Sequence, residues 1–164
     1  AEALSPGVPS TLRLLTLWDL DTGLPFVAAA AQRVHRPGRG PCDAFSGGDG
    51  ALSVPVDRES GELGLAVGSD ARGRRATWEV HPETGVPITG ARVPGWEQVA
   101  SLVLGAARAF PHAPFLGWDL LLDREGGVQL LEANPAPGTI VWQVHEPLLA
   151  DPRSRRFFTA LGMA

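Results

Sequence analysis

The feature that most constrains the fold is a pair of apolar runs joined by a short polar turn. Residues 115–123 read FLGWDLLLD and residues 127–135 read GVQLLEANP. Each run has the length and composition of a β-strand, so together they predict a β-hairpin with its turn centred on Glu125-Gly126. A two-residue or four-residue loop centred there places Asp119 directly opposite Glu132, whereas a three- or five-residue loop breaks this pairing.

In this register three oxygen-bearing side chains share one face of the hairpin. Asn134 lies two residues after Glu132, so both side chains project from the same side of their strand. Directly opposed Cβ atoms are about 4.5–5.5 Å apart and diagonal neighbours about 7–8 Å apart. Carboxylates this close repel each other unless a positive charge lies between them. Oxygen donors are the ligands of Mg²⁺, which takes its remaining ligands from water and phosphate. The pattern predicts a metal site at Asp119, Glu132 and Asn134.

A second interpretation makes the two acids ordinary strand residues that form ion pairs with arginine. For a single carboxylate this is the usual outcome. The metal site is favoured for the three residues together because the strands look apolar on both faces, and an acid buried there without a partner would cost several kcal/mol. The leucines that create this impression are Leu120, Leu121, Leu122, Leu130 and Leu131.

The rest of the chain predicts a mostly antiparallel sheet packed against helices, an α+β fold. Residues 10–20 and 24–34 are typical of strands around an Asp-Thr-Gly turn. Residues 51–68 predict two short strands, and residues 69–95 are mostly turn-forming. Residues 35–50 are too rich in Gly and Pro for regular structure and form either a flexible surface loop or a loop that folds over a ligand.

One clear helix is predicted at 96–110, and the tail contains a second candidate in DPRSRRFF, residues 151–158. In the first helix, Glu97 suits the positive N-terminal end and Pro111 stops the helix. Its apolar residues recur at helical spacing, which predicts one buried face formed by Val99, Leu102, Val103, Ala106, Ala107 and Phe110. In the strand at 115–123, alternation points Trp118 away from the face of Asp119.

Composition sets further limits. The chain has 164 residues, enough for one domain with a core, and a net charge of −4 argues against non-specific binding to nucleic acid or anionic membranes. All 14 basic residues are Arg, so phosphate contacts must come from Arg or backbone N–H groups.

Cys42 is the single cysteine, which excludes an internal disulfide and favours a reducing, cytoplasmic location. The four histidines show no spacing typical of a zinc site; for His81 and His145 we expect loop hydrogen bonds, with a substrate contact as the alternative.

Residues 117–138, GWDLLLDREGGVQLLEANPAPG, resemble the metal-binding strands of the ATP-grasp superfamily, whose pattern is Asp on one strand and Glu-x-Asn on the next. The resemblance extends upstream to STLRLLTL, DAFSGG, VDRESGEL and HPETGVPITGARVPGW, which occur in the same order in sugar-transfer-associated ATP-grasp proteins, relatives of the α-L-glutamate ligase group. It covers the chain from about residue 10 to about residue 150. It implies that residues 1–164 form a single C-terminal catalytic lobe of a longer, two-lobed protein.

The resemblance also implies a chemistry, the ATP- and Mg²⁺-dependent ligation of a carboxylate to an amine through an acyl phosphate. Asp119 would hold one Mg²⁺, or Mn²⁺ in its place, Glu132 would bridge two ions, and Asn134 would hold the second. Arg13 and Arg33 match arginines directed at the phosphates or the acyl intermediate, with a surface ion pair as the alternative for each.

In the Gly-rich loop, Ser46, Gly47 and Gly48 match a nucleotide-binding stretch. The implied partners are small carboxylate and amine substrates and an N-terminal lobe, with no nucleic acid and no membrane. An alternative function, a non-catalytic binding or assembly module, rests on Ala44, where the family usually has Asn.

Overall fold

The computed structural model describes Leu4, residues 11–38, Phe45, residues 50–123 and residues 127–163. These residues form a sheet of seven strands, three α-helices and one 3-10 turn at Leu148–Ala150. The strands are Thr11–Asp19 (β1), Leu24–Val34 (β2), Leu52–Pro55 (β3), Ala66–Ser69 (β4), Arg75–Trp78 (β5), Phe115–Leu122 (β6) and Val128–Asn134 (β7). The helices are Trp96–Ala109 (α1), Ile140–Gln143 (α2) and Pro152–Ala160 (α3).

The sheet has the strand order β5-β4-β3-β2-β1-β6-β7, and each neighbouring pair is antiparallel. This confirms the α+β class with an antiparallel sheet. The long hairpin of β1 and β2 lies at the centre, and β7 forms one edge. Because β1 pairs with β2 on one side and with β6 on the other, residues far apart in sequence become neighbours across three strands.

Both faces of the central strands are covered by hydrophobic clusters. Along β1, Leu12 and Leu14 belong to the cluster that includes α1, whereas Leu15 and Leu17 belong to the cluster that includes α2 and α3. Trp118 is fully buried in the first cluster, as the alternation along its strand predicts. A strand that contacts packed layers on both sides has little surface exposed to water, so the central strands are mostly apolar on both faces.

The helix α1 begins and ends within one residue of the prediction, but its buried stripe is narrower. Trp96, Val99, Val103 and Ala107 are buried, while Leu102 and Phe110 are exposed. The prediction that these two residues belong to the buried face is wrong. The helix meets the sheet along a seam of one residue per turn, so side chains at the edge of its apolar arc remain in water.

One short strand lies where the sequence predicts none, and one expectation about another strand is wrong. Residues 75–78 form a strand, β5, within the segment 69–95, which otherwise has the turns and irregular structure that its sequence predicts; the four residues RATW are too few to carry a clear strand pattern. The strand β7 is not buried on both faces, and Leu131 is 55% exposed. As an edge strand it has a neighbour on one side only, so its leucines do not enter a core.

Among the helices of the described residues, none has the length and apolarity that a membrane crossing requires.

Candidate metal and phosphate site

The pairing of β6 with β7 brings the predicted donors together. Asp119 pairs with Glu132, and Gly117 pairs with Asn134, so the predicted register is confirmed for these residues. Immediately after Asp119 the register shifts, and Leu120 pairs with Leu130. The turn residues 124–126 lie outside the described residues. The strand segment that carries the three oxygen donors therefore has the alignment that places Asp119, Glu132 and Asn134 on one face.

A buried arginine contacts Asp119 on the same face. Arg33 donates from Nη2 to Asp119 Oδ1 at 2.9 Å and from Nε to Thr11 Oγ1 at 2.9 Å. The side chain of Arg33 is only 9% exposed, and a charge buried to this extent needs a partner of opposite sign. The ion-pair interpretation of Asp119 is thus correct for this contact. The two hydrogen bonds also fix the orientation of the Arg33 guanidinium, because Thr11 lies on β1 and Asp119 lies on β6.

Arg13 lies near the same carboxylate oxygen of Asp119 and has an unused donor. The two residues are cross-strand partners, and Arg13 Nε is 3.8 Å from Asp119 Oδ1, too far for a hydrogen bond. Among the described residues this buried nitrogen has no hydrogen-bond partner. A buried unpaired donor costs about 1–3 kcal/mol and in a native structure calls for a functional explanation. A phosphate oxygen bound beside Arg13 would accept a hydrogen bond from this Nε–H group.

The donor set fits Mg²⁺ that takes most of its ligands from phosphate and water. In the described part of the chain, Asp119 Oδ2 and the side chain of Glu132 have no protein partner, and Glu132 is exposed. Asn134 Oδ1 accepts from Ala136 N at 2.9 Å, but a carbonyl oxygen has a second lone pair. No group of three or more His, Cys, Asp or Glu that could hold a metal occurs within the described ranges. Two carboxylates and one amide suit a metal that arrives with a nucleotide.

The segment that follows Asn134 folds back over this face, which sequence reasoning missed. Trp142 of α2 is buried, and its Nε1 donates to the backbone oxygen of Arg13 at 2.9 Å. The guanidinium carbon of Arg13 is 5.8 Å from the centre of the Trp142 ring, within the range of a cation–π interaction. The sequence signal was present in the four-residue helix IVWQ, but a helix this short has no detectable periodicity.

His145 follows α2 and hydrogen-bonds to the sheet. The fully buried Ser53 on β3 donates from Oγ to the backbone oxygen of Val141 at 2.7 Å, and His145 Nε2 lies 2.8 Å from the same Oγ. A hydroxyl has one hydrogen, so Oγ accepts from His145 Nε2–H. Burial lowers the pKa of His145 to about 4, and the nearby Arg75 adds to the effect. His145 is therefore neutral at pH 7 with Nδ1 unprotonated.

The other predicted residues divide into described and undescribed positions. His81 makes the expected loop hydrogen bonds, with Nε2 2.9 Å from the backbone oxygen of His35 and Nδ1 accepting from the N–H groups of Glu83 and Thr84. Ser46, Gly47 and Gly48, like Ala44, lie outside the described residues. In that loop Phe45 is described, and it packs against the cluster of α2 and α3.

One comparison with known protein families gave a match. The model of the sugar-transfer associated ATP-grasp family matches residues 2–154, nearly the whole chain. This chain belongs to the sugar-transfer associated ATP-grasp family. Membership of an ATP-grasp family indicates ATP binding and an ATP-dependent, ligase-type function, and ATP-grasp proteins generally use Mg²⁺ with the nucleotide. Comparisons with curated proteins and with solved structures gave no match.

Proposed function

We propose that the chain is the metal-binding lobe of an ATP- and Mg²⁺-dependent ligase that joins a carboxylate to an amine through an acyl phosphate. The observation that carries the proposal is the alignment of Asp119 with Glu132, with Asn134 on the same face and two arginines beside Asp119. The substrates are small molecules, the ligation is cytoplasmic, where ATP is available, and a second lobe completes the nucleotide site.

The three oxygen donors have separate roles in this proposal. Asp119 would hold one Mg²⁺ through Oδ2, since Oδ1 is engaged by Arg33. Glu132 would bridge to a second ion, and Asn134 would hold that ion. When bound, the metal neutralises charge on the β- and γ-phosphates, which lowers the barrier to phosphoryl transfer. Mg²⁺ or Mn²⁺ alone should bind weakly, because the protein supplies so few ligands.

The arginines act on the transferred group. An oxygen of the substrate carboxylate attacks the γ-phosphorus and ADP leaves; the amine nitrogen then attacks the acyl carbon, the carbon–oxygen bond to phosphate breaks, and the amine loses a proton. Arg33 is held in one orientation by Thr11 and Asp119. Arg13 has one donor, Nε–H, with no protein partner among the described residues, and a fixed guanidinium donor stabilises the charge that develops on the phosphoryl oxygens.

The proposal is tested first by nucleotide binding. Tryptophan fluorescence is followed during titration with ADP in the presence of Mg²⁺, because Trp142 contacts Arg13. Wild type should show saturable binding that needs Mg²⁺, and Asp119→Asn and Glu132→Gln should abolish it. Glu59→Gln is the matched control, since Glu59 is an exposed acid on a turn beside α1, the helix on the opposite face of the sheet. Identical curves for all four proteins would refute the metal site and favour the non-catalytic module.

The ligation itself is tested by the fate of the carboxylate oxygen. A mixture of amino acids labelled with ¹⁸O in their carboxylates is incubated with ATP, Mg²⁺ and the full-length protein. An acyl phosphate transfers one labelled oxygen from the carboxylate to inorganic phosphate, so labelled phosphate should appear with wild type and not with Asp119→Asn. ATP turnover that yields only unlabelled phosphate would show that no carboxylate is activated.

A further inference from the structure

The segment 135–145, the covering segment, lies across the site and contacts it at two points. The first is Gly117, the cross-strand partner of Asn134. A Cβ atom added at Gly117 would lie 2.5 Å from Pro137 Cβ and 3.1 Å from Pro137 Cγ. Proline is rigid, so a side chain at position 117 would push the covering segment off the sheet. Gly117 does not have a positive φ, so the requirement for glycine here is steric.

This contact bears on the orientation of Asn134. The amide oxygen of Asn134 accepts a hydrogen bond from Ala136 N, the residue immediately before Pro137. The placement of Pro137 on Gly117 therefore sets the position of the N–H group that holds the Asn134 side chain. Groups that hold a metal ligand in place affect metal affinity about 10- to 100-fold when they are lost.

The second point of contact is Trp142, and beyond it the covering segment is anchored to three strands. Trp142 donates to the backbone oxygen of Arg13 on β1. Ser53 on β3 holds Val141 and His145, and Arg75 on β5 donates from Nη2 to the backbone oxygen of Val144. These anchors tie the far end of the segment to the sheet, so a displacement at Gly117 cannot be absorbed by simple lifting of the whole segment.

We propose that the covering segment is the positioning element of the site, with Gly117 admitting Pro137 so that Asn134 is oriented, and Trp142 supporting Arg13. This inference rests on the proposed function, because it assigns a purpose to Asn134 as a ligand. Gly117, Pro137 and Trp142 act through Asn134 and Arg13 and are not themselves catalytic.

The test compares two glycine-to-alanine variants of the full-length protein. Gly117→Ala introduces the methyl group that meets Pro137. Gly138→Ala is the matched control: it adds the same methyl group one residue after Pro137, where nothing lies within 4 Å, and Gly138 has no positive φ. Affinity for Mn²⁺ with ADP is measured by electron paramagnetic resonance well below the unfolding temperature, and the Trp142 indole N–H signal is followed by ¹H–¹⁵N NMR, assigned by its loss in Trp142→Phe.

We expect Gly117→Ala to weaken Mn²⁺–ADP binding about 10-fold and to move the indole signal, while Gly138→Ala changes neither. Pro137→Gly removes the ring that packs on Gly117, so this variant should also weaken Mn²⁺–ADP binding. A Gly117→Ala protein that folds and binds like wild type overturns the inference, and so does a folded Pro137→Gly protein with wild-type affinity.

Two further outcomes separate this inference from the proposed function. If wild type itself does not bind Mn²⁺ with ADP, the proposed function has failed, and with it the basis of the inference. If Gly117→Ala does not fold, Trp142→Phe decides: it keeps a ring over Arg13 but loses the N–H donor, and weaker ADP binding with unchanged folding supports the inference, whereas unchanged binding overturns it.

Discussion

Asp119 and Glu132 are opposed acids that should respond differently to loss of charge. Asp119→Asn removes a carboxylate that pairs with Arg33 at 2.9 Å and lies 3.8 Å from Arg13 Nε. Glu132→Gln removes an exposed carboxylate whose side chain has no ion pair among the described residues. Both substitutions keep the size of the side chain and a hydrogen-bond acceptor. Both also remove the repulsion between the two acids, so this contribution cancels when the variants are compared.

The difference between the variants measures the attraction of Asp119 to its arginines. In Asp119→Asn, Arg33 keeps a hydrogen bond to the amide oxygen but loses the attraction between two opposite charges, which is about 1 kcal/mol at water-like dielectric constant. The Arg13 guanidinium adds up to about 1 kcal/mol at water-like dielectric constant. Asp119→Asn should therefore be about 1–2 kcal/mol less stable than Glu132→Gln. Glu132→Gln should equal wild type or slightly exceed it.

The assay is urea unfolding without metal or nucleotide, followed by tryptophan fluorescence at pH 7. For a chain of this size 1 kcal/mol corresponds to about 2–4 °C in Tm, so thermal unfolding gives an independent measure. The reasoning is refuted if the two variants have equal free energies of unfolding, or if Glu132→Gln is the less stable. In that case the burial of Arg33 does not depend on the charge of Asp119, and the ion pairs of Asp119 with Arg33 and Arg13 do not stabilise this face of the sheet.

Three other predictions concern the stability of the fold. The pKa of His145 is lowered to about 4 from 6.5 in the unfolded chain, so the stability that its neutral form contributes is complete above pH 6.5 and is lost as the pH falls towards 4. Between pH 7 and pH 5, the free energy of unfolding of wild type should therefore fall by about 1–2 kcal/mol more than that of His145→Gln, as measured by urea unfolding. Equal losses would contradict the burial of this imidazole. Asp151 caps α3 by accepting from the N–H groups at the start of the helix, so Asp151→Ala should lower the free energy of unfolding by about 1–2 kcal/mol, and an unchanged value would show that the cap contributes nothing. Glu83 forms an ion pair with the almost fully buried Arg36, so Glu83→Ala should lower the free energy of unfolding by about 3–5 kcal/mol. Glu62→Ala breaks an exposed pair with Arg92 and should lower it by less than about 1 kcal/mol. Similar losses for the two variants would show that burial does not strengthen the dependence of Arg36 on its partner.

The family and the alignment of the site follow from local sequence. Strand and turn patterns at 115–135 are enough to oppose Asp119 and Glu132, because a short hairpin has few possible registers and side chains alternate with a period of two. The helix α1 is predictable because its apolar spacing runs over 14 residues, and β1 and β2 are predictable because strand-favouring residues flank an Asp-Thr-Gly turn. These features depend on residues close in the chain.

The tertiary structure decided which residues from other strands reach this hairpin and what covers it. Arg33 contacts Asp119 because β1 lies between their strands, Gly117 accommodates Pro137, and Trp142 packs on Arg13. The exposure of Leu131 likewise depends on the edge position of β7. Strand order and the path of the segment after Asn134 are set by the packing of the whole sheet against its two clusters, and no local pattern of residues records that packing.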